Sequence, residues 1–186
     1  MHLKTSMKLA PITLENAAEN VKKAFEITQS KFGFIPNMYR NMANSSGAFA
    51  TYLSGYNAFR ELSGFTSAEQ EVVFLTISQE NNCAYCVAAH ATIANKMSGV
   101  PAEVIYAICH GEIIHEPKLA ALSYFTRRLV QSRGLPNESE IKEFLQAGFK
   151  EEQVLEVVLA IAVKTISNYT NHLFNTPIDA AFAGNA

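Results

Sequence analysis

The stretch "SAEQEVVFLTISQENNCAYCVAAHATIANKMSG", residues 67–99, decides which fold is expected. Apolar residues recur through it at the spacing of an α-helix, and nowhere do apolar and polar residues alternate as in a half-buried strand. Thr66, directly before this stretch, and Glu69 within it have the spacing of a capping box, in which each side chain bonds a free amide at the beginning of a helix. A first helix is therefore expected to begin near Ser67.

The two asparagines in the middle divide this stretch. Asn tolerates the left-handed backbone that ends a helix, and it is also a frequent N-cap for a helix that follows. The first helix should therefore fail at Asn81 and Asn82. Asn82 should then cap a second helix, which carries Cys83 in its first turn.

Helical spacing extends over the rest of the chain. Several helical runs end at glycine or lie just before proline, as helix ends do; the residues are Gly33, Gly64, Gly99, Gly134, Pro101 and Pro136. At 186 residues the chain suits one domain with a core of its own. We expect an all-α protein of about eight helices joined by short loops, without an internal repeat.

The composition argues against several classes of function. The formal net charge is -2, and Lys and Arg are scattered rather than gathered in the basic stripe of a nucleic-acid-binding protein. Residues 1–16 lack the apolar core of a signal peptide, and no stretch approaches the roughly 18 uninterrupted apolar residues of a membrane span. We therefore expect a cytoplasmic protein that binds neither nucleic acid nor a membrane.

The chain has three cysteines, too few for a disulfide scaffold. Cys83 and Cys86 form a close pair, which in a reducing compartment is typical of catalysis or metal binding. On a helix, Cys83, Cys86 and His90 fall within a stripe about 60° wide and face one way. Because the N-terminus of a helix carries partial positive charge, it favours thiolate over thiol, and a nucleophilic sulfur is expected here.

A nucleophilic sulfur also needs a proton acceptor. His90 lies one turn beyond Cys86 on the same face and is the nearest candidate. Glu71 lies among apolar residues on the first helix and, across the two-residue turn, can fold back to orient that imidazole. Glu69 and Glu80, beside the cap and the break between the helices, are expected to be solvated.

A metal site is the main alternative to a redox pair. The two cysteines and His90 supply three ligands, and a fourth could come from Glu71 or from His110 or His115. Three ligands on one uninterrupted helix do not readily surround an ion, and the second CxxC pair of a structural zinc site is missing from the sequence. We therefore expect no metal.

The remaining interpretation is that these side chains only pack in the core, since free cysteine behaves as a small hydrophobic side chain. It is weak for the CxxC pair, where a histidine shares the same face. It is the better interpretation for Cys109, which has no partner at motif spacing. His110 and His115 are expected in a loop or at the surface.

Taken together, these residues resemble a known family. Glu71, eleven intervening residues, Cys83-Ala84-Tyr85-Cys86 and three more to His90 match the E-x11-C-x2-C-x3-H signature of AhpD-like alkylhydroperoxidases in the carboxymuconolactone decarboxylase superfamily. The flanking segments "KFGFIPNMYRNMANSSGAFATYL" and "ISNYTNHLFNTPID" resemble the peroxidase-related branch. The resemblance implies one domain over residues 1–186, with a core at about 40–130, an all-helical fold and assembly into trimers or hexamers.

The resemblance also implies roles for the motif. Cys86 would be the peroxidatic cysteine, and Cys83 would protonate the leaving alkoxide and resolve the sulfenic acid into a disulfide. Glu71 and His90 would form the proton relay. Hydroperoxide would be the substrate, an external dithiol, in the best-known branch of lipoyl type, would be the reductant, and no bound cofactor or metal would be required.

Tyr85 departs from the best-known members, which carry histidine directly before the second cysteine. Its side chain is expected either to pack or to act as an accessory proton donor. The departure also keeps open a non-peroxidatic function on the same fold, as a dithiol-disulfide relay or a redox-sensing protein. The decarboxylase branch shares the fold but does not use a redox cysteine pair, and the CxxC pair argues against it.

Overall fold

The structure is a computed structural model that describes residues 7–184, and over that range every regular element is helical. Within it, nine α-helices and a short 3₁₀ helix follow in chain order: α1 Glu19–Phe32, α2 Asn37–Met42, α3 Ser46–Leu62, α4 Ser67–Glu80, α5 Ala84–Lys96, α6 Ala102–His110, α7 Pro117–Gln131, α8 Glu138–Gln146, α9 Glu151–Phe174 and the 3₁₀ helix Ala180–Phe182. The all-α prediction is confirmed. The expectation about a signal peptide rests partly on residues 1–6, which lie outside the described range.

Residues 7–184 contain one α-helix more than the approximate count expected from the sequence. The short helix α2 has only 6 residues. Such a segment makes less than two turns, so its apolar residues do not repeat often enough to reveal a helical period. Short helices of this kind are the ones that periodicity misses.

The boundary between α4 and α5 follows the sequence prediction closely. Thr66 Oγ1 accepts a hydrogen bond from the Glu69 amide at 3.2 Å, and the Glu69 carboxylate accepts one from the Thr66 amide at 2.8 Å. Asn82 has a φ of 54°, the left-handed conformation expected at the break. The second helix, however, begins at Ala84 with Cys83 as its N-cap, one position later than predicted. A left-handed Asn82 cannot also adopt the extended backbone of an N-cap.

The prediction that Glu69 and Glu80 are solvated is wrong. Glu69 is buried, and its other carboxylate oxygen pairs with Lys118 of α7 at 2.7 Å. Glu80 is half-buried and pairs with Arg127, also of α7, at 2.8 Å. Both carboxylates pair with cationic side chains of α7. Because α7 lies far along the chain from Glu69 and Glu80, the sequence around these residues gives no sign of the pairing.

The central helix of the fold is α4. Residues 69–78 are buried without interruption, and the helix packs against α5, α6, α7 and α9. A helix covered on all sides is apolar all round, which explains the run "VVFLTIS" and why the helix has no polar face. Glu71, in the second turn, is thereby withdrawn from water.

The long helix α9 combines a buried face with exposed apolar side chains. It packs against α2, α3, α4, α5 and α7, while Leu155, Val158, Tyr169 and Leu173 are among the exposed large apolar residues. Its pronounced hydrophobicity therefore reflects both core packing and an apolar outer face. None of the helices between residues 7 and 184 is long and apolar enough to cross a membrane.

The contact between α3 and α9 depends on Gly55. A Cβ atom at this position would lie 2.8 Å from Val163 Cγ2, and the short branched valine side chain has little freedom to move away. We expect Gly55→Ala to lower the free energy of unfolding by about 1 kcal/mol net, because overpacking outweighs the gain in helix propensity. Urea denaturation measures the change.

Gly47, in the same helix, provides the matched control. No heavy atom lies within 4 Å of a Cβ built there, so Gly47→Ala should raise the free energy of unfolding by up to about 1 kcal/mol through helix propensity alone. Equal stabilisation by both substitutions would contradict the close packing of α3 on α9.

Candidate active site

The turn at Asn81 and Asn82 folds α5 back along α4, and this brings Glu71 and His90 into contact. His90 Nδ1 lies 2.8 Å from one carboxylate oxygen of Glu71, and Arg60 of α3 donates a hydrogen bond to the other. Glu71 is completely buried, and His90 is 5% exposed. Three helices therefore hold a carboxylate between a guanidinium group and an imidazole in the protein interior.

The charges of this trio follow from its surroundings. Burial alone would raise the pKa of Glu71, but His90 and Arg60 outweigh it and hold the pKa below its ordinary value. Burial and the positive charge of Lys164 lower the pKa of His90, against the influence of Glu71. A neutral His90 donates from Nδ1 to the Glu71 carboxylate, so we assign the free lone pair to Nε2. The ring is thus prepared to accept a proton.

The two cysteines share one hydrogen-bond donor from α9. Asn171 Nδ2 lies 3.2 Å from Cys86 Sγ and 3.7 Å from Cys83 Sγ. Both cysteines are free thiols, and they are only 1–2% exposed. The pair is therefore held together inside the protein, where a disulfide could form between the two sulfurs.

The two thiols have opposite tendencies to ionise. Burial alone would raise the pKa of Cys86, but the hydrogen bond from Cys83 and the positive charge of Lys164 outweigh it and hold the pKa well below that of an ordinary thiol. The hydrogen bond to Cys86, together with burial, raises the pKa of Cys83. These opposite pKa shifts favour ionisation of Cys86 before Cys83, which suits Cys86 to act as a nucleophile and Cys83 as a proton donor beside it.

The polar face of α9 that contributes to this site was not predicted from the sequence. Lys164, Asn168 and Asn171 follow each other at helical spacing on one buried face. Lys164 is 1% exposed, and its Nζ lies 5.5 Å from the ring centre of Phe74. Among the described residues, no carboxylate oxygen lies within 4.0 Å of that Nζ. Polar residues repeating along an otherwise apolar helix were the available signal.

An apolar cavity of about 270 Å³ opens beside Cys86. Seven aromatic side chains line it: Phe32, Phe34, Tyr39, Tyr52, Tyr56, Tyr85 and Phe182. His90 and Lys164 contribute to the same wall as Cys86. A reactant in this cavity therefore has mostly apolar surroundings, and the polar groups it meets include the tyrosine hydroxyls, Lys96 and the side chains around the sulfur. Such a cavity suits an organic molecule with one reactive polar group.

The other residues considered from the sequence lie outside this arrangement. Cys109 is half-buried against the core, and burial raises the pKa of its thiol. The side chain of His110 is exposed and stacks on Tyr106 with ring centres 3.9 Å apart; His115 is exposed as well. Within residues 7–184 no three or more His, Cys, Asp or Glu side chains group together as a metal would require.

Tyr85 has a specific partner in the C-terminal segment. Its hydroxyl donates a hydrogen bond to Asp179 at 2.5 Å, and its ring packs edge-on against Phe182 with centres 6.1 Å apart. Asp179 also accepts a bond from the Asn37 amide at 3.2 Å. The tyrosine in the middle of the CxxC motif thus fastens the C-terminal segment across the cavity.

We expect Tyr85→Phe to lower the free energy of unfolding by about 1.5–3 kcal/mol, the usual contribution of a hydrogen bond to a charged group. The substitution removes the bond to Asp179 and the longer bond, at 3.5 Å, that the hydroxyl accepts from the Met38 amide, and it keeps the ring in place. Hydrogen exchange of residues 177–184 should quicken at the same time. Tyr124, which is 45% exposed on α7, offers the control, and Tyr124→Phe should change neither quantity. If hydrogen exchange of residues 177–184 is unchanged in Tyr85→Phe, the tyrosine hydroxyl does not hold the C-terminal segment in place.

The fold and the site together define a class: all-helical proteins with a buried dithiol at the start of a helix, backed by a Glu-His pair from the preceding helix. Residues 48–127 match the model of the carboxymuconolactone decarboxylase family. This segment contains α4, α5 and both cysteines of the CxxC motif. Over this segment the chain is similar to the carboxymuconolactone decarboxylase family, and its fold is that of the AhpD-like solved structures described next.

Solved structures with the same fold cover nearly the whole chain. A peroxidase-related protein with an alkylhydroperoxidase AhpD core from Ralstonia eutropha JMP134 has a TM-score of 0.85 at 20% identity, covering 98% of this chain and 96% of its own. A peroxidase-related protein from Silicibacter sp. TM1040 has a TM-score of 0.82 at 18% identity, covering 98% and 95%. These similarities show a common fold.

A third structure comes from a protein with a different activity. The debrominase Bmp8, in a variant bound to 2,3,4-tribromopyrrole, has a TM-score of 0.79 at 15% identity, covering 98% of this chain and 97% of its own. Comparison with curated proteins finds no match. The fold therefore accommodates more than one chemistry, and the function has to be argued from the site.

Proposed function

We propose that this protein is a thiol-dependent peroxidase that reduces organic hydroperoxides through Cys83 and Cys86. The observation that carries the proposal is the placement of two free cysteines around one Asn171 amide donor, with Cys86 in the wall of an apolar cavity. Attack on an O–O bond needs a sulfur of low pKa, a proton donor beside it and a second thiol within reach. All three requirements are met by neighbouring side chains.

In the first step, the Cys86 thiolate attacks the terminal oxygen of the hydroperoxide. The O–O bond breaks, Cys86 becomes a sulfenic acid, and the alkoxide leaves with the electron pair. Cys83 protonates that alkoxide, which gives the alcohol and a Cys83 thiolate. The high pKa of the Cys83 thiol, due first to its hydrogen bond with Cys86, keeps this proton on the sulfur until then.

In the second step, the Cys83 thiolate attacks the sulfenic sulfur of Cys86. The disulfide forms and hydroxide leaves, taking a proton to become water. We propose that His90, held by Glu71, relays that proton and that Arg60 keeps Glu71 ionised throughout. Lys164 stabilises the thiolate from which the cycle starts, because its positive charge lies in a region of low dielectric.

The cycle needs two electrons from outside to return the disulfide to two thiols. We propose an external dithiol as the reductant, of lipoyl type as the family resemblance implies, and no bound cofactor. The exposed apolar face of α9, with Leu155 and Val158, supports assembly into a homo-oligomer, a trimer or hexamer by the same resemblance. We further propose that the protein acts in the cytoplasm, without nucleic acid or membrane as a partner.

Reductive dehalogenation is a second candidate. The aromatic lining of the cavity beside Cys86 suits a planar ring as well as a hydroperoxide, and the debrominase Bmp8 shares the fold. A non-peroxidatic dithiol-disulfide relay is the third, and it is supported by Tyr85, whose hydroxyl bonds Asp179 rather than the cysteines. Both candidates use the same two thiols and differ in the oxidant.

The test is a comparison of oxidants on the fully reduced protein. One equivalent of cumene hydroperoxide should remove two thiols per chain, lower the mass by about 2 Da through a Cys83–Cys86 disulfide, and yield one equivalent of cumyl alcohol. Turnover should continue when dihydrolipoamide or dithiothreitol is present. Bromide release from a brominated pyrrole without peroxide reduction would favour the second candidate. Disulfide formation with oxidised dithiol but none with peroxide would favour the third.

A further inference from the structure

Each cysteine of the pair lines a different cavity. Cys86 lies in the wall of the apolar cavity and Cys83 does not. Cys83 instead lines a second cavity of about 380 Å³, the Cys83 cleft, on the other side of the motif. Because both cysteines are only 1–2% exposed, the cavity that each sulfur lines is the approach that the described residues offer to a reagent.

The two cavities differ in chemistry. The side chains of the Cys83 cleft are mostly polar and include Asn82, Asn171, His172 and Thr176. The apolar cavity has aromatic walls. Tyr85 lines both cavities, and its bond to Asp179 holds it between them. The tyrosine thus forms the partition between an apolar and a polar approach to the same dithiol.

We propose that the Cys83 cleft is the binding site for the reducing thiol and that the reductant attacks Cys83 Sγ. This inference rests on the proposed Cys83–Cys86 disulfide, but it does not depend on which oxidant forms that disulfide. The apolar cavity would serve the oxidant alone. Reductant and oxidant therefore do not compete for one entrance.

The step balances without any group beyond the thiol. A thiolate of the reductant attacks Cys83 Sγ, the Cys83–Cys86 bond breaks, and its electron pair goes to Cys86 as a thiolate. A second thiol of the reductant then attacks the mixed disulfide on its own sulfur and releases Cys83, which takes up a proton. The products are two protein thiols and an oxidised dithiol.

The surroundings of Cys86 favour this direction of cleavage. A disulfide breaks most readily towards the sulfur that makes the more stable thiolate. Asn171 Nδ2 lies closer to Cys86 Sγ than to Cys83 Sγ, at 3.2 Å against 3.7 Å, and Lys164 lines the cavity at Cys86 rather than the cleft at Cys83. Attack at Cys83 therefore expels the better leaving group, whereas attack at Cys86 would expel the worse one.

The position of the mixed disulfide tests the proposal. The full chain is oxidised with diamide, treated with 2-mercaptoethanesulfonate, quenched in acid within milliseconds and blocked with N-ethylmaleimide. Fragmentation of the peptide that carries the motif should place the sulfonate on Cys83 and the maleimide on Cys86. A sulfonate on Cys86 would overturn the inference. Failure of diamide to join the two cysteines would contradict the proposed pair as well, so the two failures can be told apart.

A charge placed in the cleft supplies a second measurement. His172 is exposed at the cleft and Lys96 is exposed on the wall of the apolar cavity. His172→Glu, compared with His172→Gln, should slow reduction of the disulfide by 2-mercaptoethanesulfonate about threefold relative to neutral 2-mercaptoethanol, from electrostatic repulsion near the surface. Lys96→Glu should leave that ratio unchanged. The reverse pattern would assign the reductant to the apolar cavity and overturn the proposal.

Discussion

Cys86→Ser is expected to abolish peroxide consumption, leaving only the uncatalysed reaction with the reductant. The thiolate is the nucleophile in thiol chemistry, and a serine hydroxyl at the same position neither ionises near neutral pH nor forms a sulfenic acid. The side chain is nearly the same size, and Asn171 can still donate its hydrogen bond. The fold should therefore be retained. Steady-state peroxide turnover with dithiothreitol measures the effect.

The third cysteine provides the control for this loss. Cys109 is half-buried against the core, and it lines neither the apolar cavity nor the Cys83 cleft. Cys109→Ser should keep activity within about twofold of wild type, since surface-proximal substitutions away from a site have small effects. Activity lost in Cys109→Ser and retained in Cys86→Ser would refute the assignment of the nucleophile.

Lys164→Met is expected to slow the reaction of Cys86 with electrophiles at least about tenfold at mildly acidic pH, the equivalent of about 1.4 kcal/mol of lost thiolate stabilisation. Burial raises the pKa of Cys86, and the Cys83 hydrogen bond and Lys164 lower it more strongly. Removing the ammonium group therefore raises the pKa. The thiolate fraction of the variant is lower than that of wild type at every pH below the higher pKa of the variant, and the two proteins should react alike above it.

The pH dependence of alkylation by iodoacetamide measures this shift without peroxide. Three titratable groups influence the ionisation of Cys86: Lys164, His90 and the Cys83 thiol. The hydroxyls of Tyr52 and Tyr85 also interact with it. Lys96→Met, on the wall of the same cavity but exposed to solvent, is the control and should leave the profile in place. An unshifted profile in Lys164→Met would contradict the role given to the buried ammonium group.

Lys164→Met should lower the reactivity of Cys86 without lowering the stability of the fold. A charge in a protein interior carries a desolvation penalty of several kcal/mol, which methionine avoids, and without the ammonium group Cys86 can take up a proton instead of remaining an unpaired buried charge. We therefore expect the free energy of unfolding of Lys164→Met to equal or exceed that of wild type. A lysine kept in the interior at such a cost indicates a function, here the charge of the neighbouring sulfur.

Local sequence signals predicted the elements that carry the motif. The Thr66 and Glu69 pattern located the start of α4, and the asparagine pair located the break before α5, because capping and left-handed conformations depend on a few neighbouring side chains. The contact between Glu71 and His90 follows from a two-residue turn between two helices, which forces them to run antiparallel. Prediction from sequence was therefore strongest where the partners are close in the chain.

The other half of the site comes from distant segments. Asn171 of α9 contacts Cys86 and Cys83 from 85 and 88 residues away in the sequence, and Lys164 belongs to the same helix. Asp179 contacts Tyr85 from 94 residues away. No spacing rule connects such residues, since only the packing of α9 against α4 and α5 brings them together. The burial of Glu69 by α7 escaped prediction for the same reason.

Trapping of the sulfenic acid on Cys86 tests the central claim most directly. In Cys83→Ser the resolving thiol is absent, so one equivalent of cumene hydroperoxide should leave Cys86 as a sulfenic acid, which dimedone captures as a single adduct on that residue. One equivalent of cumyl alcohol should appear at the same rate as the adduct. If Cys83→Ser reduces no peroxide and carries no adduct on Cys86, while its reduced thiol still reacts with iodoacetamide, the protein is not a peroxidase of this kind.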